Sequence, residues 1–280
     1  MIFSAGMVTM DRKRRRLYVR RFDSDWKGSV AALLDAAELD PGGRRVVVKP
    51  NLVVARRPPV TTPVELVAAI VDWLAVRNPG GEIVVADGTG AAAYDTWHVF
   101  RELGYTEMAD RKGVRLVDLN TEPLERLENP TLRTWPEFYL PRIVLESFLI
   151  SVPVLKAHTL ADVTLTMKNM MGAVPPLHYQ ADGHWKKSAL HATMHESTLE
   201  LNRYRTPDFT ILDATQGMRE AHLWGALCDP PPGLLVAGYD PVATDAYGAG
   251  LLGRDWREIG YIRDADGELG RAEPLEIIEL

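Results

Sequence analysis

RVVVKPNLV, residues 45–53, sets three valines directly before a lysine, a proline and an asparagine. A short run of β-branched apolar residues that stops at reactive polar ones reads as a buried strand ending at a ligand edge. Three further stretches repeat the pattern. IVVA precedes Asp87-Gly-Thr-Gly90, FLISVPVL precedes Lys156-Ala-His158, and GLLVAGY precedes Asp240-Pro-Val-Ala-Thr-Asp245. If all four are parallel strands, their carboxyl ends line one edge of a sheet, where open α/β folds bind ligands.

Between these runs lie segments of helical period. SDWKGSVAALLDAAEL stops at Pro41-Gly-Gly43, and VELVAAIVDWLAVR begins after Thr61-Thr62-Pro63 and stops at Pro79-Gly80-Gly81. Strands alternating with helices predict an α/β fold, a mostly parallel sheet with helices on both faces. Leu17–Phe22 reads as an edge strand. Prolines at 123, 130, 136 and 141 predict an irregular insertion around residues 121–146, irregular or antiparallel at one edge. Residues 159–206 read as a helical, histidine-rich segment, with helices at Ala161–Gly172 and Ser188–Asn202. The whole chain, 1–280, is expected to be one α/β domain with that segment as a smaller subregion.

The 280 residues, 46% of them hydrophobic, suffice for a large core. A net charge of -6 argues against nucleic acid as a partner, which needs clustered positive charge. The basic run Arg12 to Arg16 reads as a solvated face. No apolar stretch approaches the roughly 18 residues of a membrane span, and no secretory signal is evident, which predicts a cytoplasmic protein with no membrane association. Cys228 is the one cysteine, so a single chain holds no disulfide and no cysteine-ligated iron-sulfur cluster. Tryptophans 73, 97 and 256 are expected in the core, the alternative being the face of a homodimer.

Strand side chains repeat every second residue, so Lys49 and Asn51 share a face, as do Lys156 and His158. A lysine deep at a sheet edge needs an anion or an aspartate beside it. The functional reading is a carboxylate or phosphate site, and the alternative is a set of structural ion pairs. Thr61 and Thr62 add hydroxyls at a helix start. Asp87 opens a glycine-rich turn whose spacing breaks the dinucleotide pattern. Lys168 and Asn169 follow in a run that otherwise reads as methionine-rich core. Asp240 is either a cap or a ligand, and Asp245 sits in a first helical turn.

Five of the seven histidines fall between positions 158 and 195. Of these His178, His184, His191 and His195 are the candidate ligands of a divalent metal, with Asp162 or Asp182 in support. His191 and His195, four apart in a helix, would share a face. His98 and His222 read as structural.

VKPNLV, the Thr-Thr-Pro-Glu helix start, VADGTG, VPVLKAHTLADVTLTMKNMMG, TILDATQGM and AGYDPVATDAYGAGLLG together resemble the domain of unknown function 362 family. The resemblance runs from about Arg45 to Gly270, and K-x-H followed by K-N-x-x-G is its most specific part. It implies recurring polar positions at Lys49, Asn51, Lys156, His158, Lys168, Asn169, Asp240 and Asp245, and relatives that carry or work beside iron-sulfur modules. A fainter similarity in the central block points to lactate racemase-like proteins, which use paired histidines around a nickel-bearing cofactor.

The expectation is an enzyme, isomerase- or lyase-like, that moves a proton on a small anionic substrate. His158 would shuttle the proton, Lys156 would stabilise the developing charge, and Lys49, Asn51 and Lys168 would hold the acidic group. The competing expectation is a non-catalytic anion-binding or accessory protein that docks a redox partner through Trp185, Lys186 and Lys187.

Overall fold

A computed structural model describes residues 16–280. Its first half contains β1 (Arg16–Arg21), α1 (Trp26–Ala36), β2 (Val46–Pro50), α2 (Val64–Arg77), β3 (Ile83–Asp87), α3 (Thr96–Glu102), α4 (Tyr105–Lys112) and β4 (Arg115–Asp118). A hairpin of β5 (Leu124–Glu128) and β6 (Glu137–Pro141) and the short α5 (Arg142–Glu146) lead into β7 (Phe148–Val152) and β8 (Val154–His158). β9 (Asp162–Thr164), α6 (Thr166–Asn169), α7 (Pro176–Tyr179) and α8 (Met194–Tyr204) come next. The chain closes with β10 (Phe209–Met218), β11 (Leu234–Gly238), α9 (Pro241–Leu251), α10 (Gly260–Ala265) and β12 (Glu276–Glu279).

The main sheet has 10 strands, ordered β12-β1-β11-β10-β7-β2-β3-β4 with β8 and β9 continuing from β10. β4, β3, β2, β7 and β10 are parallel, as predicted. β11 is not: it runs antiparallel to both β10 and β1. Its carboxyl end, and Asp240 with it, therefore lies at the opposite edge from Lys49 and Asp87. β1 is not the edge strand, because β12 pairs outside it.

Side-chain alternation sets the layers. Val46 and Val48 belong to the apolar cluster shared with α1, α2 and α4, while Val47 belongs to the one shared with α8, α9 and α10. With a period of two, Lys49 falls on the side of Val47, the same side as α6. Trp73 is in the core, where its indole N–H donates to Asp35, whereas Trp97 stays exposed and Trp256 half-buried.

Residues 121–146 are more regular than the prolines suggest. They form the β5–β6 hairpin and α5, and the buried Glu200 of α8 accepts the backbone N–H groups of Arg133, Thr134 and Trp135 at 3.2, 3.3 and 2.7 Å. The helix expected from Ala161 is replaced at its start by β9, since Val163 and Thr164 favour an extended backbone. His191 ends a 3₁₀ turn and His195 belongs to α8, so they do not share one helix. Of the basic run, Arg12 to Arg15 lie outside the described residues, and Arg16 pairs with Glu276 at 2.9 Å. No described helix is long and apolar enough to cross a membrane.

Candidate functional site

Lys49 and Lys156, both fully buried, stand at the carboxyl ends of neighbouring parts of the sheet. Lys49 Nζ donates to Asp87 Oδ1 at 2.6 Å and to Asn169 Oδ1 at 3.3 Å, and Leu52 N–H occupies Asp87 Oδ2 at 2.6 Å. Asn169 Oδ1 also accepts from Asn51 Nδ2, while its own Nδ2 reaches Ser151 Oγ and the Lys49 carbonyl. Asn51 Oδ1 in turn accepts from Lys156 Nζ at 2.6 Å, and the Val60 carbonyl takes a second Lys156 donor at 2.7 Å. One buried polar chain thus runs from Asp87 through Lys49, Asn169 and Asn51 to Lys156. Gly172 closes over it so tightly that an added Cβ would lie 2.2 Å from Asp87 Oδ1.

The chain borders a cavity of about 190 Å³. Three lysines line it: Lys156, Lys168 and Lys187. Among the described residues its lining holds one carboxylate, Asp87, which Lys49 already neutralises. Lys187 Nζ donates to the Gly88 and Gly172 carbonyls, each at 2.8 Å. Lys168 Nζ has the Met171 thioether at 3.7 Å, a weak acceptor. Burial lowers the pKa of Lys156 and Lys187 to about 7 and that of Lys168 to about 8, with Lys168 itself the second cause at Lys156. Lys49 is lowered too, by burial, against the pull of Asp87.

His158 also lines the cavity. Its Nδ1 accepts the N–H groups of Leu160 and Ala161 at 3.0 and 3.1 Å, which fixes a neutral ring with the proton on Nε2. Burial first, then Lys168, His222, Lys156 and His191, pushes its pKa far below the usual histidine range. The ring stacks on His222, centroids 4.0 Å apart. His222, lowered to about 3 by burial and Lys168, has a buried Nδ1 with no partner among the described residues.

Several expected site residues lie elsewhere. Lys49 does not reach the cavity; its ammonium is spent on Asp87 and Asn169. Thr62 Oγ1 accepts from Asn51 N–H and donates to the Val152 carbonyl, and Thr61 donates to the Arg56 carbonyl, so both brace the loop after β2. Asp240 caps α9, accepting from Val242 and Ala243 N–H, and also receives Arg271 N–H. Asp245 takes the Thr166 and Met167 N–H groups at 2.7 and 3.0 Å, anchoring α6, which carries Lys168 and Asn169; burial lifts its pKa to about 7.

The four histidines expected to hold a metal are apart. His178 stacks on Tyr139, His184 is exposed, His195 faces Asp162, and only His191 lines the cavity. Among the described residues no group of three or more His, Cys, Asp or Glu is placed to hold a metal ion. Lys187, expected on a docking surface, and His222, expected to be structural, are both cavity residues, as are Trp185 and Trp224. A lysine pair and a loop histidine carry no strand-end signal, so the sequence pattern gives no means of finding them.

A family model described as Domain of unknown function (DUF362) matches residues 46–250. The chain belongs to this family. The DUF362 match begins at β2 and ends in α9, and every cavity-lining residue, from Asn51 to Trp224, lies inside it. No curated protein matches the sequence. Among solved structures the chain is similar to the lactate racemase apoprotein from Thermoanaerobacterium thermosaccharolyticum, at 9% identity and a TM-score of 0.49, over 89% of this chain and 58% of that one. The chain therefore spans less than two thirds of that protein, and a likeness at this level transfers no chemistry.

Proposed function

We propose that this DUF362 protein is an enzyme that binds a small carboxylate or phosphate in the lysine-lined cavity and moves a proton on it, in the manner of an isomerase or lyase. The carrying observation is the excess of cationic side chains: three lysines face the cavity, and the single lining carboxylate is already paired. Buried lysines without carboxylate partners are costly, and a bound anion offsets that cost.

Lys168 is the group free to meet the ligand, since among the described residues only a thioether contacts its ammonium. With a pKa of about 8 it exchanges a proton readily near neutral pH, as a general base or acid must. Lys156, held by Asn51 and Val60, and the Nε2–H of His158 supply donors for negative charge that develops on an adjacent oxygen. His158 on this reading is a fixed hydrogen-bond donor and not the proton shuttle expected from the sequence.

The test is a panel of small 2-hydroxy and 2-oxo carboxylates and phosphates, screened for binding by thermal shift and then incubated in D₂O under NMR. Loss of the proton signal next to the acidic group, absent in Lys168→Met, supports the proposal. Binding without exchange by any ligand overturns the catalytic reading and favours the anion-binding accessory protein. Absence of any anion binding removes both.

A further inference from the structure

The lysines account for only part of the cavity wall. Trp185, Leu223, Leu160, Trp224 and Val53 also line it. Trp185 packs with Leu223 in a small apolar cluster and pairs as a bridge with Ala91, which fixes its indole against Gly90. Leu160 and Trp224, by contrast, are 52% and 59% exposed although both border the cavity. The two lie beside the stacked imidazoles: Leu160 N–H binds His158 Nδ1, and the Trp224 ring is 6.2 Å from His222. Large apolar side chains left open around a concave polar site mark where a ligand buries apolar surface.

Size narrows the ligand further. A cavity of about 150 Å³ can hold one benzene ring, and this one measures about 190 Å³. One ring plus an acidic group matches that volume, whereas a second ring would extend past the walls into the mouth that Leu160 and Trp224 leave open.

Resting on the anion-site reading above, we infer that the substrate class is a monoanion attached to a single aromatic ring or a branched aliphatic body of similar size. The acidic group meets Lys156 and Lys168, and the body lies between Trp185 and Trp224. Simple two- and three-carbon acids reach the lysines but leave the apolar mouth wet.

Isothermal titration with acetate, phenylacetate and 1-naphthylacetate at fixed ionic strength tests this. Phenylacetate is expected to bind at least tenfold more tightly than acetate, because its ring leaves water, and at least as tightly as naphthylacetate, whose second ring extends past the walls. Trp224→Ala and, separately, Leu160→Ala are expected to cut the phenylacetate preference to below threefold; both side chains are mostly solvent-exposed, so the fold survives their loss. Equal affinities for acetate and phenylacetate, or a preference untouched by both substitutions, overturn the inference while leaving the anion site standing. If neither of these acids nor inorganic phosphate binds, the anion site itself falls, and this inference with it.

Discussion

Lys49 Nζ lies 2.6 Å from Asp87 Oδ1, and both side chains are almost wholly removed from solvent. The pair is a brace for the cavity wall: Lys49 also holds Asn169, and Asp87 also holds the Leu52 N–H. A buried ion pair is weak evidence of stability in itself, but removing one partner strands the other charge. Lys49→Met or Asp87→Leu is expected to lower unfolding free energy by about 3–5 kcal/mol. The double variant is expected to recover most of that, and urea titration of the three variants checks it. Additive losses in the double variant would show that the two charges act independently.

Lys168 presents the opposite case, because among the described residues it has no carboxylate partner to strand. Lys168→Met keeps the stem and removes a desolvated charge, so the variant is expected to melt higher. The rise is on the order of 2–4 °C for each kcal/mol gained in a chain of this size. Anion binding is expected to weaken but persist in the same variant, since Lys156 and Lys187 remain, while proton exchange is expected to vanish. Calorimetry that finds a lower melting temperature would mean the ammonium stabilises the ligand-free fold.

Anion affinity is expected to weaken as pH rises through 7 to 8. Lys156 and Lys187 titrate near 7 and Lys168 near 8, and a neutral amine no longer attracts the ligand. Among the neighbouring groups Asp87 is already paired, while His158, His191 and His222 have pKa values lowered by burial and stay neutral above pH 7. Binding at pH 7.5 should therefore take up protons, measurable as heats that depend on the buffer's ionisation enthalpy. Buffer-independent heats would contradict this.

The same lysines affect the ligand-free fold with a definite sign. Their folded pKa values lie below the ordinary lysine value of about 10.4, so the unfolded chain binds more protons between about pH 7 and 10. Their contribution to stability is complete above the unfolded value and is lost as pH falls through 7 to 8. Denaturation midpoints across this range, compared with those of Lys168→Met, isolate one lysine's share. A variant whose pH slope equals that of the parent chain would rule out the depressed value.

His158→Ala is expected to lower turnover by about 10²–10³, the usual cost of one donor to a developing oxyanion. On the proposed activity, the pH–rate profile of the parent chain should show no limb near 6.5, because Nδ1 is occupied by two backbone N–H groups. A limb at that pH that disappears in His158→Ala would restore the proton-shuttle role.

Much of the fold was legible from period alone. Val46–Val48, Ile83–Ala86 and Phe148–Val152 are strands bounded by turn residues, and they do bring Asn51, Asp87, Lys156 and His158 to one edge. GLLVAGY looked identical to them, but direction is not written in an apolar run. It is decided by pairing with β10 and β1, and so Asp240 fell on the wrong edge. Lys49 carried the right chemistry and the wrong role, since its partner Asp87 lies 38 positions away and only the parallel register of β2 and β3 joins them. The histidines were misread for a related reason. Nearness in sequence between 178 and 195 does not survive the turn at Gly183 and the 3₁₀ turn Ser188–His191, while His222 reaches the cavity from a distant loop.

The reversal of β11 makes α9 a tie between the two edges of the sheet. The helix starts at the far edge of the sheet, where Asp240 pins it, and Asp245 then grips the backbone of α6 just before Lys168. The two N–H groups that Asp245 holds immediately precede Lys168, so the placement of the lysine is tied to that of α9. A residue at the far edge of the sheet thus helps to set where a cavity lysine stands.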